Sequence, residues 1–187
     1  MRFLRSPRMA GLVAALSLAL VPASAEAASG GTPVSSTGGT GTPAEAPTTV
    51  AGAKAKLVDG MAIAPASAPQ EVKDVIAAAN KIRNKPYVYG GGHQSFRDSG
   101  YDCSGAASFA LHGGGLLKAP IDSTGMSTYG EPGAGEWISV YGAPGHGYLV
   151  IAGLRFDTSM TPGNGPGWSR SMRSADESYR VRHPEGL

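Results

Sequence analysis

A single cysteine, Cys103, narrows what this 187-residue chain can fold into more than any other feature. The first residues carry the marks of an export signal. Arg2, Arg5 and Arg8 supply a positive start, Ala10 to Val21 form an apolar run, and Ala23 to Ala25 give a small-x-small cleavage site. Residues 1–25 are therefore expected to be a secretory signal, with Ala25 the preferred last residue and Ala27 the next choice. Small exported domains usually rely on disulfides. One thiol cannot make one within the chain, so the folded part needs an ordinary apolar core. The thiol itself is either a small buried hydrophobe or a reactive group.

The rest of the sequence falls into two parts. Residues 26–68 are dominated by Gly, Ser, Thr, Pro and Ala ("ASGGTPVSSTGGTGTPAEAPTTVAG"), a composition that buries too little surface to offset the entropy of ordering it. This stretch reads as a flexible linker, although "KLVDGMAIAP" (Lys56 to Pro65) is apolar enough to pack on a domain edge. Residues 69–187 read as the folded domain. Val72, Val75, Ile76, Ala79 and Ile82 recur at helical spacing within Gln70 to Asn84, and Pro86 lies just beyond. A second helix is expected from "DCSGAASFALHGG", with Asp102 as its N-cap and Gly113 to Gly115 ending it. Three strand-like runs follow: "EWISVY" from Glu136, "HGYLVI" from His146 and "LRFDTS" from Leu154. Helices first and antiparallel strands later is the order of an α+β fold. The tail from Met160 has no periodicity to read, and Trp168 is expected to find an apolar surface.

Charge excludes some partners. Three of the 16 basic residues lie in the signal, leaving 13 against 14 acidic ones after cleavage. A near-neutral chain without a basic run gives no support for nucleic-acid binding. No segment after the signal is apolar enough to span a membrane.

Cys103 stands one residue after an N-cap, where helix N–H groups favour a thiolate and could also stabilise an oxyanion. Its base has to be one of four histidines. His112 lies nine residues along the same helix, roughly 13 Å away. His183 sits in a polar tail, and His93 in a glycine loop that would hold it poorly. His146 opens an apolar strand and is the best aimed. A two-residue turn at Ala152-Gly153 pairs Ile151 with Leu154 and sets Asp157 diagonal to His146, as a group to orient the imidazole. A three-residue turn would bring Thr158 opposite instead.

These residues carry a family resemblance. "KPYVYGGGHQSFRDSGYDCSGAASFALHGGGLL" (Lys85 to Leu117) resembles the signature of the NlpC-type bacterial cell-wall cysteine peptidases, in which a Tyr-x-Trp/Tyr-Gly-Gly run precedes an aromatic-Asp-Cys-Ser-Gly motif opening a helix. "GHGYLVIAG" (Gly145 to Gly153) resembles the segment with that family's histidine. The resemblance covers about Gln70 to Thr158. It implies a circularly permuted papain-like α+β domain, with helices packed on a small antiparallel sheet. It also implies hydrolysis of peptide bonds in peptidoglycan stem peptides, commonly between γ-D-glutamate and meso-diaminopimelate or lysine. Cys103 then matches the nucleophile, His146 the base and Tyr87 a tyrosine lining the site. Asp102 and Ser104 flank the sulfur, and Ser104 matches a residue that helps bind the substrate's N-terminal side. "GAGEWISVY" lacks the family's usual Gly-Asp, and Asp157 or Thr158 stands where a third polar residue, usually His, is found. The expected protein is a secreted, wall-associated, monomeric cysteine endopeptidase that needs neither metal nor cofactor. A catalytically silent wall-binding module and an amidase or acyltransferase using the same dyad are the alternatives.

Overall fold

The structure is a computed structural model that describes residues 48–159, 164–174 and 178–187. The signal and the first part of the linker lie outside the described residues. Two helices form the centre of the core. Helix α1 (Gln70–Ile82) turns Val72, Val75, Ile76, Ala79 and Ile82 inward. Helix α2 (Cys103–Gly113) is buried along nearly its whole length, with Ala106, Ala107, Ala110 and Leu111 in the core. Its small residues allow close approach. A Cβ at Gly105 would lie 2.0 Å from the Gly91 carbonyl oxygen, and one at Gly113 would meet the Ala78 side chain at 2.2 Å. Among the described residues, no helix is long and apolar enough to cross a membrane.

A six-stranded antiparallel sheet packs against α2. Its strands are β4 (Glu131–Pro132), β5 (Ile138–Ala143), β6 (His146–Ile151), β7 (Leu154–Asp157), β8 (Gly167–Ser169) and β9 (Arg180–His183), in the order β4-β9-β5-β6-β7-β8. The α+β architecture, helices on an antiparallel sheet, is thus the one expected. Strands β6 and β7 meet through a two-residue turn: Ile151 pairs with Leu154, Val150 with Arg155 and Leu149 with Phe156. Ala152 and Gly153 both have positive φ, 45° and 83°, the tight-hairpin conformation that matches strand twist. Between α2 and the sheet, Asp122 caps a short helix, α3 (Ser123–Met126), by accepting from Gly125 N.

Two regions differ from expectation. The linker assigned to residues 26–68 is folded in its second half. Strands β1 (Thr49–Val50), β2 (Lys56–Val58) and β3 (Met61–Pro65) form a small sheet in the order β1-β3-β2. Ala62, Ile63 and Ala64 are buried, and Asn80 of α1 makes two hydrogen bonds to the backbone of Ala62. Alanines hide their apolar role in a sequence because they are also common in linkers. The tail also contributes to the sheet. Strand β9 lies beside β5, and Trp168 of β8 packs on Phe156, 4.9 Å between ring centroids, while its indole donates to Asn80 Oδ1 at 2.9 Å.

Candidate active site

Three elements bring three side chains together. Cys103 is the first residue of α2, His146 the first of β6 and Asp157 the last of β7. The β6–β7 register puts His146 Nε2 2.9 Å from Asp157 Oδ1. That leaves Nδ1 as the ring nitrogen free to face the sulfur, which lies close enough to the His146 side chain and the Gly147 backbone N–H for both to favour its ionisation. Thr158 is buried next along the chain, so the carboxylate rather than the hydroxyl meets the imidazole.

Electrostatics follow from this geometry. Burial opposes ionisation of the Cys103 thiol, but the hydrogen bonds from His146 and Gly147 outweigh it and hold the thiol below its ordinary value. Asp157, hydrogen-bonded to the imidazolium, and then Cys103 push His146 up to about 9 against the cost of burial. Burial pushes the Asp157 carboxyl up too, yet its bonds to His146 and to Arg173 leave it below the usual carboxylate value. Near neutrality the imidazole is protonated and backed by a charged carboxylate, and it favours the thiolate form of the sulfur beside it.

The sulfur faces a cleft of about 370 Å³, lined by Tyr87, Tyr89, His93, Asp102, Ser104, Asp122 and Ser123 together with Cys103. Burial and the nearby Cys103 push the Tyr87 phenol up. A larger depression of about 430 Å³ between β3 and α1 is lined by none of these groups and holds no comparable set of reactive side chains. On the cleft side of Cys103, Asp102 caps α2 by accepting from Gly105 N at 2.8 Å and also accepts from Gly90 N at 3.1 Å. His93 is not poorly held. Its Nε2 lies 3.0 Å from Asp102 Oδ1 and 3.2 Å from Ser104 Oγ, because the glycine loop is itself tied down by Gly92 N donating to Asp98 Oδ2 at 3.0 Å. His112 is turned away, with Nδ1 2.8 Å from Leu117 O and its ring stacked on Phe96, and His183 Nδ1 lies 3.1 Å from Gly133 O. Among the described residues, no group of three His, Cys, Asp or Glu side chains converges as metal ligands.

Sequence reasoning missed Arg173, whose Nε donates to Asp157 Oδ2 at 2.7 Å. It also missed an aromatic wall behind His146. Tyr141 and Tyr148 stack at 4.5 Å between centroids, and Tyr179 stands edge-on to Tyr148 at 5.3 Å. The alternation of β5 and β6 could have paired the two strand tyrosines, since Tyr141 faces Tyr148 across the ladder. Nothing in the tail's sequence signals Arg173 or Tyr179.

No family model matches the chain, and no curated protein matches it. Several solved structures are similar. A hypothetical invasion protein of Mycobacterium tuberculosis shares 21% identity over 60% of this chain and 62% of its own, with a TM-score of 0.46. The peptidoglycan hydrolase RipB of the same organism shares 23% over 60% of this chain and 64% of its own, at 0.46. An NlpC/P60 family protein from Bacillus cereus shares 18% over 60% of this chain and 39% of its own, at 0.45. The chain thus spans less than two thirds of the length of each of these structures.

Proposed function

We propose that this protein is an exported cysteine endopeptidase of the NlpC type that hydrolyses peptide bonds in peptidoglycan stem peptides. The observation that carries the reading is the convergence of three groups beside a cleft: the Cys103 sulfur at the start of α2, the His146 imidazole that favours its ionisation, and Asp157 Oδ1 at 2.9 Å from His146 Nε2. The resemblance of "YDCSG" and "GHGYLVIAG" to that family supplies the substrate class.

The thiolate attacks the carbonyl carbon of the scissile amide, and the negative charge moves to the carbonyl oxygen. The N–H groups of Cys103 and Ser104, which open α2 ahead of the Gly105 N–H that Asp102 caps, would stabilise that oxyanion. His146 then gives its proton to the leaving amine, the C–N bond breaks, and a thioester remains on Cys103. Water, deprotonated by the now neutral His146, attacks the thioester and releases the carboxylate and the thiolate. Asp157 stabilises the imidazolium and keeps the ring from turning. Ser104, Asp102 and Tyr87 line the cleft where the substrate's N-terminal side would sit. Residues 1–25 would direct export, and residues 26–47 would tether the domain at the wall.

Incubating the protein with defined muropeptides and identifying the new termini by mass spectrometry tests this. New amino and carboxyl termini within the stem, absent with Cys103→Ala, are expected. Binding to purified wall without cleavage would replace the enzyme with a binding module. Release at the sugar–peptide amide would make it an amidase.

A further inference from the structure

Asp157 makes more contacts than a simple His-orienting carboxylate needs. Its side chain has no solvent exposure, and its two oxygens are divided between two partners. Oδ1 faces His146 Nε2 at 2.9 Å, whereas Oδ2 receives Arg173 Nε at 2.7 Å, with Arg155 Nε further off at 3.7 Å. Arg173 follows β8 in the tail, remote in sequence from the hairpin that carries His146 and Asp157. Its guanidinium carbon lies 5.8 Å from the centroid of the Tyr148 ring, so the aromatic wall fixes its other side. The bond to Asp157 is short, in the range of charge-assisted hydrogen bonds.

We propose that Arg173 is a positioning residue of the Cys103–His146–Asp157 chain, anchoring Oδ2 so that Oδ1 stays turned toward the imidazole and sharing the carboxylate's charge between two cations. The inference rests on the proposed role of the site, but its principal test reads the thiol alone and needs no substrate. Every ionisable group facing Asp157 enters the argument: His146 and Tyr148 of β6, Arg155 of β7, and Arg173 and Tyr179 of the tail, with Cys103 of α2 beyond the imidazole. Of these, Arg173 alone is a cation with a side chain one third exposed, giving the tail a direct electrical connection to the reacting pair. Removing its charge leaves Asp157 with His146 at 2.9 Å and Arg155 at 3.7 Å, and without its shortest cationic contact. With less of the Asp157 charge balanced, the imidazolium becomes harder to deprotonate and the thiolate beyond it is less favoured. Both ionisations therefore move to higher pH.

The test follows the rate of Cys103 alkylation by iodoacetamide against pH in the full chain, for wild type, Arg173→Gln and Arg173→Lys. Arg173→Gln is expected to move the thiol inflection up by about half a pH unit or more, which lowers the rate at pH 7 about threefold. Arg173→Lys keeps the charge without a planar N–H fork, so it should retain the inflection. Its hydrolysis should fall at least about fivefold in kcat with KM unchanged, because Oδ1 is no longer held. Arg173→Gln with a lowered melting temperature and the wild-type inflection would overturn the proposal in favour of a packing role, as would Arg173→Lys with full kcat. If Arg173→Gln does not fold, the Lys variant decides. A shifted inflection in a protein that cuts no muropeptide would sink the peptidase reading and leave Arg173's role standing. An unshifted one in an active enzyme would do the reverse.

Discussion

Cys103 sits between two histidine–aspartate pairs that look alike in a distance table and differ in what they can do. His146 and Asp157 are 2.9 Å apart, and His93 and Asp102 are 3.0 Å apart. The difference lies in the other bonds of each carboxylate. Asp102 is committed to backbone N–H groups at Gly90 and Gly105, so it caps a helix and closes a loop. Asp157 is bound by side-chain cations, His146 and Arg173. A carboxylate satisfied by N–H groups is a structural fixture. One satisfied by cations on separate elements can respond when a proton moves. The same residue pair thus becomes a helix cap on one side of the sulfur and, in the proposed mechanism, a support for the imidazolium on the other.

The largest effect that could break this contrast is at the dyad. Cys103→Ala and His146→Ala are each expected to abolish muropeptide cleavage, whereas His93→Ala should keep it within about tenfold, an effect confined to substrate positioning. Residual cleavage in His146→Ala with loss in His93→Ala would invert the assignment. Next, Asp157→Asn should cut kcat by about 10² to 10⁴, because an amide cannot balance the imidazolium.

The pH profile sharpens the comparison further. With His146 pushed up to about 9, hydrolysis should decline as pH rises through that value, because the proton needed by the leaving amine is lost. On the acid side, Cys103 alkylation should persist below the ordinary thiol value of about 8.5. In His146→Gln, burial is left as the main influence on the thiol, and the inflection should rise to that value or above it. His93→Gln should leave the inflection where it is. The smallest effect is on stability: Asp102→Ala removes an N-cap worth about 1 kcal/mol, a fall of about 2–4 °C in melting temperature measured by calorimetry.

What could be read from the sequence tracks how local each signal was. The helix at α1, the cap at Asp102 and the hairpin at Ala152-Gly153 are set by residues within a few positions of one another. The sequence leaves two hairpin registers open, one favouring Asp157 and one Thr158, and the two-residue turn is the one the hairpin adopts. Cys103 and His146 come from distant parts of the chain; comparison of the four histidines favours the pair, and the resemblance of their two segments to one family strengthens the link. Arg173, Tyr179 and β9 were invisible for a physical reason. Their positions come from long-range sheet pairing, with β9 joining β5, and neither alternation nor spacing in a Gly-, Ser- and Arg-rich tail encodes that partner. The strands at Thr49 to Pro65 were obscured differently. Small side chains that fit under α1 give the same composition as chain that packs on nothing.

Asn80 ties those two hidden regions to each other. One amide side chain clasps the Ala62 backbone and takes the indole proton of Trp168, so the strip before the first helix and the far edge of the main sheet share a single fastening. Trimming the chain to start at residue 69, as a linker assignment would suggest, would strip away half of that clasp. The edge strand β8, whose neighbour β7 ends at Asp157, would keep its bond to Asn80 but lose the anchor behind that amide and the Arg170 contact to the Leu57 carbonyl. Residues 48–65 thus serve as a foundation under that edge of the sheet.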